Sequence, residues 1–329
     1  MRVVEITRPG GPEQLHVREV EEPRPGPGEV LVEVAAAGVN RADLLQRQGH
    51  YPPPPGAPPW PGLEASGTVV AVGDRVDGWA VGDRVAALVA GGAYAERLVV
   101  PAGQLLRVPD HLDLVDAAGL PEAVCTAWSN LTGPGRLGVG SASGARVLVH
   151  GGSGGIGTVA LQLLAAQGAW VATTAGGPER TARCLELGAD LAVDHRAEDF
   201  VAAVREATGG RGVDVVLDVV GAAYLDRNLE VLADEGRLVV IGTQRGRRGE
   251  VDLGAVMARR LTVTGTTLRS RSLEAKAAIV ADVAAHAWPW LDDGRLRPVI
   301  GARVPLDEAS RAHELVESGT VFGKVLLVP

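Results

Sequence analysis

Hydrophobic and polar positions follow one pattern at both ends of the chain and another in its middle. Over the first 110 residues, short β-branched runs such as EVLVEVAAAGVN and YAERLVVP are bounded by Gly, Pro and Asp, which is typical of strands and turns. The tail returns to this character in PVIGARV and KVLLV, with a helix expected near Asp307–Ser318. We therefore expect the two ends to form one β-rich domain around a different central one.

The central segment alternates predicted strands with predicted helices. Helical runs TVALQLLAAQG and PERTARCLELG follow the first two strands, and Pro178 opens the second helix. Strands joined through helices imply right-handed crossovers and a parallel sheet that is covered on both faces. We therefore predict an α/β fold with a doubly wound parallel sheet, whose strands are Arg146–His150, Trp170–Thr174, Leu191–Asp194, Val213–Val219 and Arg237–Ile241.

A glycine-rich turn, HGGSGGIG, joins the first central strand to the first central helix. Gly151, Gly154 and Gly157 suit a backbone that must turn tightly, approach a diphosphate closely and pack its helix on the sheet. The helix N-terminus then presents free N–H groups to the phosphates. This context predicts a dinucleotide site, with a merely structural turn as the alternative.

The end of the second central strand bears on which dinucleotide binds. An NAD site usually has Asp or Glu there, whereas this strand ends Thr173-Thr174-Ala175-Gly176. Arg180 follows, and His195-Arg196 come after the third strand, which favours the 2′-phosphate of NADPH. The alternative is that Arg180 is a solvated helix residue, since Glu179 beside it would repel a phosphate.

Composition narrows the choice of partners. The 329 residues carry a net charge of −8 and only 3% aromatic residues, which disfavours nucleic acid. No apolar run approaches the ~20 residues of a membrane span, and the start MRVVEITRPGG lacks a signal-peptide core, so we expect a soluble, cytoplasmic protein. Cys125 and Cys184 cannot form a four-thiolate lobe, and the seven histidines show no metal-ligand spacing, so no metal is expected.

Several stretches together resemble one superfamily. This chain is similar to the medium-chain dehydrogenase/reductase superfamily, and specifically to its zinc-independent, zeta-crystallin-like NADPH:quinone oxidoreductase branch. The resemblance implies a GroES-like β-rich catalytic domain, residues 1–121 and 268–329, and a Rossmann cofactor domain, residues 122–267. The stretches are AAAGVNRADLLQRQGHYPPPPG, GLEASGTVVAVG, GDRVAAL, PEAVCTAWSNL, VLVHGGSGGIG, GVDVVLDVVG, GTTLRSR and FGKVLLV.

The resemblance also implies site residues. Asn40 and Tyr51 would lie beside the nicotinamide and the substrate carbonyl. The alternatives are that Asn40 is only a turn residue and that Tyr51 is a loop aromatic that covers the core. Zinc-dependent relatives have a cysteine and a Gly-His-Glu motif where this chain has Asn40 and Leu63, and Glu64 alone could not hold the metal. The implied cofactor contacts are Thr126, Gly151, Gly152, Ser153, Gly154, Gly155, Ile156, Gly157, Gly176, Arg180, His195, Gly242, Leu268, Phe322 and Lys324.

The expected function follows from these features. Without a Lewis acid the acceptor must already be electrophilic, so we expect NADPH-dependent reduction of quinones or activated conjugated carbonyls, by hydride or electron transfer. The alternatives are a zinc-independent enoyl reductase of the same fold and a non-enzymatic NADPH-binding structural or RNA-binding protein. ARRLTVTGTTLRSR, about residues 258–271, resembles the dimer-forming edge strand of the family, which implies a homodimer.

Overall fold

The computed structural model describes residues 1–138 and 142–329. The described residues divide into two compact units. Unit 1 comprises Met1–Cys125 and Leu268–Pro329, and unit 2 comprises Thr126–Thr267. None of the helices in the described ranges is long and apolar enough to cross a membrane.

The first segment of unit 1 is rich in strands, as its β-branched runs predict. The proline-rich residues 51–62 contain neither helix nor strand, because proline removes a backbone donor and fixes φ. Short 3-10 helices lie at Pro12–Gln14 and Ala102–Gln104. The regular elements are β1 (Arg2–Ile6), β2 (Leu15–Glu19), β3 (Glu29–Val39), α1 (Arg41–Arg47), β4 (Glu64–Val72), β5 (Arg84–Leu88), β6 (Arg97–Pro101), β7 (Leu105–Arg107), α2 (Leu114–Ala117) and α3 (Pro121–Thr132), which continues into unit 2.

Unit 2 is the doubly wound domain that the alternating pattern predicts. Its elements are β8 (Arg146–His150), α4 (Gly155–Ala166), β9 (Trp170–Ala175), α5 (Pro178–Glu186), β10 (Leu191–Asp194), α6 (Phe200–Ala207), β11 (Val213–Asp218), α7 (Leu225–Val231), β12 (Leu232–Val240), α8 (Leu253–Arg259) and β13 (Thr262–Gly265), with a 3-10 helix at Ala222–Tyr224. The sheet order is β10-β9-β8-β11-β12-β13, and every pairing is parallel. The chain therefore reverses its direction of travel across the sheet at β8, where ligands bind in open α/β sheets.

One predicted element of unit 2 is wrong in length. The run at residues 258–271 is predicted as one strand, but the strand covers only Thr262–Gly265. The residues before it complete α8, which ends where Arg260 adopts a left-handed backbone with φ of 52°. The short strand still forms the edge of the six-stranded sheet.

The last segment returns to unit 1 and completes its sheet. It contributes α9 (Leu273–His286), β14 (Ile300–Pro305), α10 (Ala309–Ser318) and β15 (Lys324–Val328), with 3-10 helices at Trp288–Leu291 and Leu306–Glu308. Strand β15 pairs antiparallel with β3, which also pairs with β4 and β6. The buried valines of β3 form the core of this unit together with residues of β15 and α10. Strands from both ends of the chain thus lie in one sheet of unit 1.

Candidate active site

At two positions of the glycine-rich turn of unit 2 there is no room for a side chain. A Cβ added to Gly157 would lie 2.2 Å from the carbonyl oxygen of Gly151, and one added to Gly152 would lie 2.2 Å from Thr173 Oγ1. Gly151 has a φ of +74°, in the left-handed region that favours glycine. The backbone can therefore come close to a ligand along this turn, as the sequence pattern predicts.

Helix α4 begins inside this turn, at Gly155. The first N–H groups of an α-helix have no acceptor within the helix, and the helix dipole adds positive potential there. The first turn of α4 contains no acidic residue that would repel an anion. A glycine-rich turn followed by a helix N-terminus fits the diphosphate of a dinucleotide.

A buried histidine supports the turn from below. His150 Nδ1 lies 3.0 Å from Thr174 Oγ1, and Nε2 lies 2.7 Å from Asn228 Oδ1. Burial lowers the pKa of His150 to about 4, so the ring is neutral at pH 7. Because Asn228 Oδ1 can only accept, Nε2 carries the ring proton. The same Thr174 Oγ1 accepts a 3.3 Å hydrogen bond from the N–H of Gly151, so the threonine connects the histidine to the turn.

The carboxyl ends of β9 and β10 carry the residues predicted to recognise a 2′-phosphate. Gly176 directly follows β9, and an added Cβ there would lie 3.0 Å from Nε of Arg196. Asp194 Oδ1 accepts hydrogen bonds from the N–H groups of Gly177 at 2.9 Å and Arg196 at 3.0 Å, which hold its pKa below the usual range. Arg196, which the sequence places only in the vicinity, is thus packed against the end of β9.

The remaining predicted cofactor residues are spread over both units. In unit 2, Thr126 lies in α3, Arg180 in α5, His195 after β10 and Gly242 after β12. In unit 1, Leu268 and Phe322 are buried, and Lys324 is the first residue of β15. The structure therefore gathers the glycine turn and its neighbours at the carboxyl edge of the unit 2 sheet, and the other three residues lie in unit 1.

Unit 1 holds a buried cluster of one amide, one carboxylate and one ammonium. Asn40 lies between β3 and α1, and its Nδ2 donates a 2.8 Å hydrogen bond to Glu64 Oε1. Lys324 Nζ donates a 2.7 Å hydrogen bond to Asn40 Oδ1 and pairs with Glu64 Oε1. The side chains of Lys324 and Glu64 are 4% and 0% exposed. Sequence reasoning places Lys324 among the cofactor contacts and does not foresee this ion pair.

The backbone around Glu64 is shaped to receive its carboxylate. A Cβ added to Gly38 would lie 2.3 Å from Glu64 Oε1 and 2.8 Å from the carbonyl oxygen of Ala118. The second oxygen, Oε2, accepts a 2.8 Å hydrogen bond from the N–H of Glu122 at the start of α3. Both carboxylate oxygens thus have donors, which a buried charge requires.

The cluster fixes the direction of the Asn40 amide. A flipped amide would aim its NH2 group at the Lys324 ammonium and its oxygen at the Glu64 carboxylate, so both contacts would become repulsive. The carbonyl oxygen and one N–H are therefore committed, and the second N–H has only a 3.4 Å contact with the carbonyl oxygen of Gly38. An oriented amide N–H suits the stabilisation of negative charge on a carbonyl oxygen.

Tyr51 begins the proline-rich loop and is held by a buried arginine. Arg269 donates to the carbonyl oxygens of Tyr51 at 3.2 Å and Ala90 at 2.7 Å, and to Gln46 Oε1 at 2.6 Å. Its guanidinium carbon lies 5.3 Å from the centre of the Tyr51 ring, within cation–π range. Burial raises the pKa of the Tyr51 phenol, and the Arg269 charge opposes this in part, so the hydroxyl keeps its proton at neutral pH. No hydrogen bond among the described residues joins Tyr51 to Asn40.

Asp218 and Cys125 have structural surroundings. Asp218 accepts hydrogen bonds from the N–H groups of Val220 and Gly221 at 2.8 and 2.9 Å, a structural role at the end of β11. Cys125 is fully buried, and burial raises the pKa of its thiol well above the ordinary value, so it is no nucleophile. Across residues 1–138 and 142–329, no three His, Cys, Asp or Glu side chains are grouped as a metal would require.

Comparison with known proteins agrees with this architecture. Residues 26–110 match the alcohol dehydrogenase GroES-like domain, and residues 187–327 match a family described as zinc-binding dehydrogenase. The quinone oxidoreductase of Lama guanicoe is 33% identical over 334 residues, which cover all of this chain and 97% of that protein. The chain belongs to the quinone oxidoreductases of the medium-chain dehydrogenase/reductase superfamily.

Other similar proteins extend the comparison. The crystal structure of Escherichia coli quinone oxidoreductase complexed with NADPH is 30% identical, with a TM-score of 0.87 and full coverage of both chains. A segment of a phenolphthiocerol/phthiocerol polyketide synthase of Mycobacterium tuberculosis is 34% identical over 98% of this chain, which spans 14% of that protein. The resemblance inferred from sequence and the predicted fold class are confirmed.

Proposed function

We propose that this protein reduces quinones or related activated conjugated carbonyls with NADPH and without a metal. The observation that carries the proposal is the Asn40 amide, which Lys324 and Glu64 orient and whose second N–H makes only a long, 3.4 Å hydrogen bond to the Gly38 carbonyl oxygen. Such a donor stabilises a developing oxyanion but cannot activate an unpolarised alcohol or ketone as zinc does. The acceptor must therefore be electrophilic by itself, as a quinone is.

NADPH is the cofactor, and bound in unit 2 it supplies the reducing equivalent. The turn Gly151–Gly157 would receive the diphosphate, and Arg180, His195 and Arg196 the 2′-phosphate. The absence of a carboxylate at the end of β9 supports NADPH over NADH. The further contacts of this proposal are Thr126, Gly176, Gly242, Leu268 and Phe322.

In unit 1, Asn40 and Tyr51 would bind the substrate oxygen. The second N–H of Asn40, which makes only a 3.4 Å hydrogen bond within the protein, would donate one hydrogen bond, and the Tyr51 hydroxyl, which retains its proton, would donate a second. Arg269 donates one hydrogen bond to the loop, at the Tyr51 carbonyl oxygen, and two more to Ala90 and Gln46 outside it. Binding and orientation account for these roles, since reduction of a quinone gains aromaticity and needs positioning more than activation.

Asn40 and Leu63 support the metal-free part of the proposal. Neither an amide nor an alkyl group replaces the thiolate and imidazole ligands of catalytic zinc. The ammonium of Lys324 already supplies the positive charge next to Glu64. Activity should therefore survive dialysis against a chelator, and elemental analysis of the active protein should find less than stoichiometric zinc.

Steady-state kinetics tests the proposal. NADPH and NADH are each combined with para-quinones, ortho-quinones, simple enones and an enoyl thioester, using wild type and Asn40→Asp, which has the shape of asparagine but no N–H. We expect turnover of quinones with NADPH and a loss in kcat for the variant. Preference for the enoyl thioester would favour the enoyl reductase. Tight NADPH binding with no turnover of any acceptor would favour the non-enzymatic alternative.

A homodimer is the proposed assembly. Strand β13 is the edge of the unit 2 sheet, and Val263 on it is 45% exposed. Helix α8 beside it has no buried residue and exposes Leu253 and Met257 by 68% and 77%. An unpaired edge with apolar neighbours suits a second copy of the chain. Light scattering should give twice 34.0 kDa, and Val263→Lys should yield monomer, whereas a monomeric wild type at micromolar concentration would refute the dimer.

A further inference from the structure

A chain of buried ionisable side chains runs through unit 1 behind the Asn40 cluster. Asp43, Tyr94 and His313 are 0% exposed and Arg47 is 1% exposed. The chain reaches the surface at Glu317, whose Oε1 accepts a 2.5 Å hydrogen bond from Arg47 Nη2. It connects α1, the segment before β6, and α10, and the proposed function uses none of its members.

Because Arg47 can only donate, it fixes which atom donates and which accepts in each hydrogen bond of this series of buried side chains. A guanidinium only donates, so His313 Nδ1, 3.3 Å from Arg47 Nη1, is an acceptor. Burial, aided by the Arg47 charge, lowers the pKa of His313 to about 3, so the ring is neutral and its single proton is on Nε2. Nε2–H then donates to the Tyr94 oxygen at 3.1 Å.

The inner end of the chain is the Asp43 carboxylate. Because the Tyr94 oxygen accepts from His313, its hydroxyl proton is directed to Asp43 Oδ2, 3.3 Å away. The same carboxylate accepts the backbone N–H of Asn40 at 2.8 Å on Oδ2 and the backbone N–H of Gly62 at 2.9 Å on Oδ1. Asp43 thus joins Asn40 to the segment that leads into Glu64, the acceptor of the Asn40 amide.

We propose that Asp43 is a positioning residue for Asn40, and that His313 keeps Asp43 in the accepting state through Tyr94. The inference rests on the proposed function, because it assigns a role toward Asn40. The chain does not relay protons to substrate, since its inner end meets backbone N–H groups, which do not release protons. A carboxylate at the third position of a helix often caps it, but this one is buried and its second oxygen binds a residue 19 positions away.

A protonated Asp43 would carry a donor at one oxygen where the carboxylate accepts a hydrogen bond. The pH dependence of activity therefore reports on these contacts. Burial raises its pKa to about 6, against the backbone N–H donors and the positive charges of Arg269 and Lys324. The other titratable groups that face it are Tyr94 from the segment before β6, and His313 of α10 behind it. Removing the Tyr94 donor would favour the protonated acid further and move the Asp43 pKa upward.

The test compares His313→Leu with His313→Gln and with Tyr94→Phe. Glutamine has one acceptor and one donor, as the neutral ring has, whereas leucine has neither. In wild type, kcat/KM for a para-quinone should fall below about pH 6 as Asp43 is protonated. We expect His313→Leu and Tyr94→Phe to move this acid limb upward and to lower kcat about tenfold at pH 6.5. His313→Gln should keep the wild-type limb and at least half of kcat.

A merely structural role would lower stability without moving the acid limb. The inference is therefore overturned if His313→Leu keeps the wild-type pH profile, or if His313→Gln lowers kcat as much as His313→Leu does. If His313→Leu does not fold, Tyr94→Phe takes its place in this comparison. A second readout needs no turnover. The NMR chemical shifts of the backbone amide protons of Asn40 and Gly62 should change together with pH as Asp43 is protonated, and the change should occur at a higher pH in Tyr94→Phe. If wild type reduces no quinone, the proposed function fails, and this titration still decides the role of Asp43.

Discussion

The variant Lys324→Met tests whether the buried ion pair between Lys324 and Glu64 stabilises unit 1. Methionine keeps most of the unbranched chain length but removes the ammonium, which leaves Glu64 fully buried with Asn40 Nδ2 and the Glu122 N–H as its donors. Removing one partner of a buried pair leaves an uncompensated charge and costs about 3–5 kcal/mol. The Asn40 carbonyl loses its donor as well, so the amide is no longer held in one direction. We expect a loss of stability near the upper part of this range.

A double-mutant cycle in urea separates the charge from the packing. Glu64→Gln in the Lys324→Met background removes the unpaired charge. Its single carbonyl oxygen can accept from the Glu122 N–H, and its NH2 can donate to the Asn40 oxygen, which is free to turn once the ammonium is gone. The double variant should therefore recover most of the lost stability. Lys324→Arg is the matched control, because its planar guanidinium keeps the charge but not the compact shape. The reasoning is refuted if Lys324→Met unfolds within about 1 kcal/mol of wild type, below the range for a broken buried pair, or if Glu64→Gln restores nothing.

Three further predictions concern unit 2. Gly157→Ala would drive a Cβ to 2.2 Å from the Gly151 carbonyl oxygen, so NADPH affinity measured by fluorescence titration should fall at least about tenfold; unchanged affinity would contradict a diphosphate site at this turn. Arg180→Ala should weaken NADPH binding in calorimetry by about 1.5–3 kcal/mol and leave NADH unaffected, and equal losses would argue against a 2′-phosphate contact. Burial lowers the pKa of His150 in the folded protein to about 4, so the unfolded chain takes up the proton first as the pH falls. Between pH 7 and pH 5 the free energy of unfolding of wild type should therefore fall by about 2 kcal/mol more than that of His150→Leu. Parallel profiles of unfolding free energy against pH would contradict this prediction.

The doubly wound domain could be predicted because its signals are local. A strand, a glycine-rich turn and a helix lie within about 20 consecutive residues, and each has a distinct hydrophobic period. The structure confirms β8, the turn and α4 in that order. Where the local signal is ambiguous the prediction fails: the Thr- and Val-rich run near residue 262 gives no sign that the chain before it ends a helix at Arg260.

The contacts among Asn40, Glu64 and Lys324 could not be predicted because these residues are distant in the chain. Lys324 lies 260 residues from Glu64 and 284 from Asn40, and they meet only because β15 pairs with β3, which pairs with β4. No periodicity carries that register. The chain from Asp43 to His313 has the same origin, since Tyr94 and His313 are 219 positions apart.

One sequence feature does point to Lys324. Of the 32 basic residues, only Lys276 and Lys324 are lysine, and a coding bias toward arginine explains the rest. At the surface such a bias costs nothing, because either cation is solvated there. Both lysines are instead buried, at 2% and 4% exposure, although lysine is among the residues least often buried. A compact ammonium donates to Asn40 and Glu64 from one atom, whereas a guanidinium spreads its five donors over a wider, planar fork. In a chain so biased against lysine, the rare lysine marks a position where its shape matters as well as its charge.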